Sequence, residues 1–457
     1  MHIIDYTLVV TYLVVLLGLG FVRRLRPGSS ANELIVGGRM LTLPAFVASL
    51  VSTWYGGILG VGEYAYSYGL SNWLVFGLPY YLAATLFALF LAKKARTTQL
   101  LTIPDRLLEV YDRRTSVAAA VIIFVMTVPA AYVLMLGVLG RFMFGWPMWV
   151  GVLAGTLFSI IYVYFGGFRS VVRTDLLQFA LMFIGFILLM VVLISTYGGL
   201  DFLRAHLPDA HLTWHGGQTG WYIAMWYVVA LAALIEPAFY QRCFAVRDIR
   251  TARLGIFISI GCWAFFDFMT TTCGLYARVL LPNLSDPVAA FPELAQLVLP
   301  AGLLGLFLLA LLATVMSTVD SNSFLAATTF GRDIIPHFIK QPANILRHTR
   351  IGLLLATAIA LVLALMFESV IDIWHAFGSI GTPALLIPVL SAFVGKRRLS
   401  PRWAFVSIVA SGSVAFCWYL SKYVLDSNEF LLDVQPIFPG IVVSLAIYLA
   451  HVYKSDT

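Results

Sequence analysis

Apolar runs of about twenty residues recur along this chain from one end to the other, and few of them carry a charge near the middle. An α-helix rises about 1.5 Å per residue, so a run of that length crosses a hydrocarbon core of about 30 Å. Thirteen such runs can be marked, at 3–22, 43–70, 72–92, 116–140, 147–166, 174–197, 219–240, 252–280, 300–330, 350–367, 371–394, 402–423 and 436–453. Backbone in lipid must satisfy its own hydrogen bonds, which leaves only helices or a closed barrel. Continuous apolar runs of this length are helices, because membrane strands are short and alternate. The expected fold is an all-α polytopic membrane protein. The composition agrees: 61% of the 457 residues are hydrophobic and 11% charged, where soluble chains carry about 25% charged residues. No polar stretch is long enough to fold as a soluble domain. A single transmembrane domain over 1–457 is expected, without an attached kinase or binding domain.

The segments between runs sort by charge. With the N-terminus placed outside, the segments 23–42, 93–115, 167–173, 241–251 with Arg253, 331–350, 395–402 and the C-terminal tail hold 25 of the 29 Lys and Arg residues. Only Arg141, Arg204, Arg278 and Lys422 fall elsewhere. This is the positive-inside asymmetry, and it predicts a cytoplasmic C-terminus; a bacterial inner membrane is the expected location. It also accounts for the net charge of +7 without nucleic acid as a partner. The start, "MHIIDYTLVV", has no basic residue before its apolar run and no small-residue cleavage site, so an uncleaved first span is expected. Cys243, Cys262, Cys273 and Cys417 form no CxxC pair, so neither a metal cluster nor a disulfide framework is expected. With no GxSxG stretch and no His/Cys ligand cluster, the chain is not expected to be an enzyme. It is expected to work as a monomer in the lipid bilayer.

Setting the first run aside, runs two to six begin inside and runs seven to eleven begin outside. Five helices followed by five of opposite orientation is the layout of an inverted repeat. The halves would be 43–197 and 219–394, with 3–22 an extra N-terminal helix and 402–453 two C-terminal helices. The first run of each half is interrupted, by Gly56, Gly57, Gly60 and Gly62 in "STWYGGILGVGE" and by Glu236-Pro237 in "LIEPAFYQR". Glycine loosens a helix and proline removes a backbone donor. Two readings stay open: plain kinks, or paired breaks that frame a substrate site between the halves.

"LLATVMSTVDSNSF", residues 311–324, continues an apolar run yet holds Thr314, Ser317, Thr318, Asp320 and Ser321. Thr314, Ser317, Thr318 and Ser321 share one helical stripe, with Asp320 at its edge. Hydroxyl and carbonyl oxygens are what a hard cation such as Na+ requires. The ordinary reading is that such hydroxyls bond back to the carbonyl four residues earlier. That explains the hydroxyls but not a carboxylate, which costs about 2.5–3.5 kcal/mol at the bilayer centre even on the most lenient scale.

At five separated places the sequence resembles the sodium:solute symporter family: "ANELIVGGRMLTLPAFVASLVSTW", "LLTIPDRLLEVYDRR", "GGFRSVVRTDLLQ", "PAFYQRCFAVRD" and "LLATVMSTVDS", in that order. The resemblance implies a LeuT-like fold of five plus five inverted helices with one extra helix in front. It implies sodium-coupled import of a small-molecule solute by alternating access. It places a sodium ion between hydroxyls of the eighth core helix, here Ser317 and Thr318 with the Thr314 carbonyl, and carbonyls of the broken first helix. Those carbonyls are Ser52 and Tyr55 in one register, or Leu50 and Thr53 in the other. It also offers a second sodium site from Asp175, Asp320 and Ser321. For Asp175 the plain alternative is a charge favoured near a helix N-terminus.

No motif names the solute. Glu63, Glu236 and Asp267 lie inside runs, with no Lys or Arg well inside the runs to neutralise them. Trp54, Gly56, Glu63, Tyr80, Glu236 and Asp267 are the candidate substrate residues, with Tyr55 and Tyr81 as further aromatic walls and His375 as a titratable neighbour. An amine-bearing or neutral polar solute is expected. The other class that stays open is a membrane-embedded sensor or channel-like protein of the same fold, without coupled transport.

Overall fold

Where a run is uniformly apolar the helix continues, and where glycine or proline interrupts it the helix breaks. The computed structural model describes residues 1–22, 30–339, 344–367, 369–395, 397–424, 430–431 and 434–456. Parts of the basic segments 23–42, 331–350 and 395–402 therefore lie outside the described residues. The helices that matter below are α1 (Ile3–Phe21), α2 (Leu43–Trp54), α3 (Ile58–Tyr68), α4 (Trp73–Thr97), α5 (Arg113–Met126), α6 (Ala130–Phe144) and α7 (Met148–Tyr197). They continue with α8 (Gly220–Val229), α9 (Pro237–Ala245), α10 (Ile249–Leu280), α11 (Leu303–Thr328), α12 (Ile345–Met366), α13 (Val370–Phe393), α14 (Pro401–Val424) and α15 (Ile437–Asp456). Among the described residues, eleven helical stretches are long and apolar enough to cross a membrane, and an isolated bridge from Leu41 to Val246 is the only β pairing.

Three breaks shape the bundle. Between α2 and α3 the chain tightens into a 3-10 turn at Tyr55–Gly57. Between α8 and α9 it runs as 3-10 helix over Ala230–Ile235, then extends at Glu236 (φ −64°, ψ 115°). Pro237 restarts the helix at its first position, where the missing N–H is not needed. The long α7 is folded at Gly167, whose φ of 62° and ψ of −162° only glycine adopts freely. One difference from the sequence expectation is that the run at 116–140 is not continuous. It is interrupted at Thr127–Pro129, because Pro129 cannot donate within the helix.

The centre of the bundle is α11. Its residues are buried on every face, Thr314 to Ser321 without exception, as expected of a helix that is apolar all round. It runs along α7 and touches α1, α2, α6, α12 and the break after α2. The N-terminal end of α2 is tied to the exit of α9 by the Leu41 N–H donating to the Ala245 carbonyl at 3.0 Å. Past α9, Asp248 caps α10 by accepting from the Thr251 backbone and hydroxyl, which holds its carboxyl below the usual carboxylate range.

Candidate functional site

Ser52 and Thr53 lie in the last turn of α2, just before the 3-10 turn, and carbonyls in the last turn of a helix lack partners within it. The Thr318 hydroxyl of α11 fills that gap. It donates to the Thr53 carbonyl at 2.6 Å and lies 3.4 Å from the Ser52 carbonyl. Ser317 Oγ lies 2.9 Å from Ser52 Oγ and 2.6 Å from the Asp175 carboxylate. Gly56 makes the approach possible, since a Cβ there would overlap the Thr318 side chain. The structure thus brings Ser317 and Thr318 to the broken helix, opposite the Ser52 and Thr53 carbonyls, one from each register considered above. Thr314 donates its hydroxyl to Ala310 at 2.7 Å, the local back-bond, so this side chain faces its own helix. Tyr55 turns its hydroxyl elsewhere, onto Asp267.

The Asp175, Asp320 and Ser321 side chains do not form one ligand set. Asp320 faces the first arm of α7 and accepts hydrogen bonds from Ser159 and Tyr162. Asp175, on the second arm, accepts from Ser49 at 2.5 Å and from Ser317. Ser321 sits 2.8 Å from both Thr53 Oγ1 and Arg242 Nη2. The reason is Arg242, which the sequence expectation placed in a basic loop. It belongs to α9 and is completely buried. Its Nη2 lies 3.7 Å from Asp175 Oδ2 and within hydrogen-bond distance of Ser49, Thr53 and Ser321, and its guanidinium covers the Phe168 ring. The expectation that no Lys or Arg lies well inside the spans is therefore corrected. A signal was available: Pro237 at a helix start and Asp248 as the next cap leave room for a helix that buries "FYQRCF".

A cavity of about 230 Å³ opens on the other side of the α2–α3 break. Trp54, Tyr55 and Gly57 form its wall at the break, and Glu236 lines it at the α8–α9 break. Both breaks therefore meet one chamber. Ten of its 24 lining residues are Phe, Tyr or Trp, against 14% in the whole chain, so the lining is not explained by general lipid-facing aromatics. Asp267 is held from two sides, with Tyr55 donating to Oδ1 and Tyr81 to Oδ2. Trp54, Tyr80, Glu236 and Asp267 among the candidate substrate residues line the cavity; Gly56 and Glu63 do not. Gly56 is pressed against Thr318, and Glu63, beyond Gly60 on α3, lies outside the lining. Tyr132, Trp263, Asn322 and Trp374 are lining residues that sequence reasoning missed. Nothing local marks them, because they come from four different helices.

The family model for the sodium:solute symporter family matches residues 34–410. The sodium/pantothenate symporter of Escherichia coli (strain K12) is 26% identical over 465 residues, covering 96% of this chain and 94% of that protein. The osmoregulated proline transporter of Bacillus subtilis (strain 168) is 24% identical, covering 95% of this chain and 93% of that one. Among solved structures, a substrate-bound, outward-open Na+-coupled sialic acid symporter shares the fold, with a TM-score of 0.82 at 17% identity, covering 100% of this chain and 98% of that chain.

Proposed function

This chain belongs to the sodium:solute symporter family, and from that premise we propose that its coupling ion binds where α11 meets the break between α2 and α3. The protein is a sodium-coupled symporter of a small-molecule solute, embedded in the membrane by many spans. One observation carries the site: the Thr318 hydroxyl bridges to the Ser52 and Thr53 carbonyls across the break. Sodium is a hard cation that takes oxygen ligands, and hydroxyl and carbonyl oxygens bind it without bringing a full negative charge. Ser317 adds a further hydroxyl, and the Thr314 carbonyl stands behind them in the proposed shell. The Tyr55 main-chain carbonyl, at the same break, is a further proposed ligand, while its side chain lines the cavity.

The coupling follows from shared backbone. The residues that would hold sodium, Ser52 and Thr53, are adjacent to Trp54 and Tyr55, which line the cavity. An ion that fixes the break fixes the cavity wall, and a solute that orders the wall improves the ion site. Such coupling is reciprocal in free energy. Alternating access then needs the α2–α3 and α8–α9 pairs to move relative to α11 and α7 around this point.

We read the architecture as a LeuT-like five-plus-five inverted repeat over 43–197 and 219–394, preceded by α1 and followed by α14 and α15. Thirteen spans result when the arms of α7 on either side of Gly167 are counted separately and α15 is included. The N-terminus lies outside and the C-terminus in the cytoplasm of a bacterial cell membrane, and one chain forms the working unit. The solute is a small polar molecule, amine-bearing or neutral, because Glu236 and Asp267 line the cavity and no Lys or Arg does.

The test is sodium binding to purified protein in lipid nanodiscs, read with radiolabelled sodium. Replacing Ser317 and Thr318 together by Ala removes two ligand oxygens. Apparent sodium affinity is expected to drop by about tenfold or more, which corresponds to about 1.4 kcal/mol. Unchanged affinity in a well-folded double variant would overturn the site.

A further inference from the structure

The central cavity combines aromatic rings with acid groups, holds no Lys or Arg in its lining among the described residues, and has His375 as its one basic side chain. Two ring pairs stand in its wall. Trp54 and Tyr80 meet edge-on at 5.5 Å, and Tyr132 and Trp374 meet at 6.2 Å. The two acids differ in what they still need. Each oxygen of Asp267 accepts a tyrosine hydroxyl, so that carboxylate is locally satisfied. Glu236 is not: its one hydrogen bond here is a long one, from the Ala238 N–H to Oε1 at 3.4 Å. Arg242, on the same short helix, is committed to Asp175, Ser49, Thr53 and Ser321 on the far side of α2. Glu236 therefore faces an aromatic chamber whose lining offers it no Lys or Arg, with His375 as the one titratable base. A carboxylate in such a place must be protonated or meet a cation.

Three indole N–H groups of the lining, those of Trp226, Trp263 and Trp374, are buried without an acceptor among the described residues, and Trp263 is the most buried, at 1% exposed. A buried donor without a partner is costly, and a ligand oxygen would satisfy it.

We propose that the solute is a small organic cation, with a methylated ammonium head seated among Trp54, Tyr80, Tyr132 and Trp374 against Glu236, and with an oxygen acceptor for the Trp263 N–H. Aromatic faces attract a cation through the ring quadrupole, and this suits methylated ammonium ions because they have few or no N–H groups to satisfy. A primary ammonium would need several acceptors in tight geometry, and the walls offer mostly rings. An anion lacking an amine would place a second negative charge beside Glu236. This proposal rests on the symport reading of the same cavity and narrows its solute class.

The experiment uses full-length protein in nanodiscs with saturating sodium, and reads binding by thermal shift and tryptophan fluorescence. The probes are tetramethylammonium, (2-hydroxyethyl)trimethylammonium and 3,3-dimethylbutanol, the uncharged carbon isostere of the second. The hydroxyethyl cation is expected to bind tightest, by roughly tenfold or more over the uncharged isostere. Glu236→Gln should remove most of that preference. Trp263→Phe should bring the hydroxyethyl cation down to tetramethylammonium. Trp374→Leu, which leaves Glu236 untouched, should weaken both cations and keeps the proposal testable if Glu236→Gln fails to fold. Equal binding of the isostere, or no binding of either cation, overturns the proposal. Radiolabelled sodium binding in the same samples separates the two readings. Sodium that binds and depends on Ser317 and Thr318 leaves the symport site standing while the cation proposal falls. Loss of sodium binding in the unmodified protein defeats both.

Discussion

The Arg242 guanidinium lies 3.7 Å from the Asp175 carboxylate, and both side chains are completely buried. The pair joins α9 to the second arm of α7 beside the hydroxyls proposed to hold sodium. Removing one partner of a buried pair leaves the other charge uncompensated, at about 3–5 kcal/mol, whereas neutralising both costs far less. Arg242→Gln and Asp175→Asn are each expected to lower the thermal midpoint clearly, and the double variant to recover part of the loss. A double variant no more stable than the sum of the singles predicts would show that the pair is not coupled. Since Arg242 already supplies a positive charge at Asp175, sodium binding to the unmodified protein is expected to saturate without cooperativity. A cooperative isotherm would instead favour a second ion at Asp175.

Gly56 and Thr318 make a sharper local test. A methyl group on Gly56 would overlap the Thr318 side chain, while a methyl on Gly18 in α1 meets nothing within 4 Å. Overpacking a tight contact costs about 1–3 kcal/mol. Gly56→Ala should therefore lower stability and push Thr318 off the Ser52 and Thr53 carbonyls, with a matching loss of sodium affinity. Gly18→Ala should do neither. Equal behaviour of the two variants in thermal unfolding and sodium binding would remove Gly56 from the argument.

Much of this molecule is readable in its sequence, and the limits have physical causes. The apolar runs mark the helices because only helices close their hydrogen bonds in lipid. The Gly56-Gly57 and Glu236-Pro237 interruptions mark the two breaks for equally local reasons. Ser317 and Thr318 stand out as hydroxyls in an apolar helix. Asp320 does not reveal which way it points. Its helix is buried on every face, so no apolar side orients it, and one residue turns the direction by about 100°. Ser321 thus reaches Thr53 of α2 while Asp320 reaches Ser159 and Tyr162. Arg242 was concealed by its surroundings, since a charge near the end of a run reads as a loop charge. Tyr132, Trp263 and Trp374 become a cavity wall only when distant segments meet.

Topology can be tested at two positions. Asp286 lies in the link after α10, half exposed and paired with Arg141 at 3.1 Å, and Arg397 lies in the basic link between α13 and α14. Exposed ion pairs contribute about 0–1 kcal/mol, so Asp286→Cys should fold normally. A membrane-impermeant thiol reagent added outside intact cells is expected to label Asp286→Cys and not Arg397→Cys, once Cys417, the exposed native thiol, is replaced by Ser. The reverse pattern would invert the orientation.

The last expectation concerns acid. His211, in the link between α7 and α8, is buried, and its Nε2 lies 3.0 Å from the Tyr66 carbonyl near the end of α3. A carbonyl only accepts, so Nε2 carries the proton, and Nδ1 is buried without a partner among the described residues. Adding a second proton would bury an unsatisfied N–H in a setting that already disfavours charge. Burial, and then the nearby Arg278 guanidinium, hold the His211 pKa below the ordinary histidine value against the opposing Tyr66 hydrogen bond. The unfolded chain therefore binds this proton at a higher pH than the folded one does. Its contribution to stability is complete above about pH 6.5 and is lost as the pH falls from there toward the lower folded-state value. The link also holds Leu70, whose N–H donates to the His211 carbonyl at 3.0 Å, so the loss would loosen the connection between α3 and α4. Replacing His211 by Gln keeps a donor for Tyr66 and removes the titration. Thermal midpoints recorded between pH 8 and pH 5 should fall more steeply for the unmodified protein than for His211→Gln. Parallel curves would mean that other groups set the acid response.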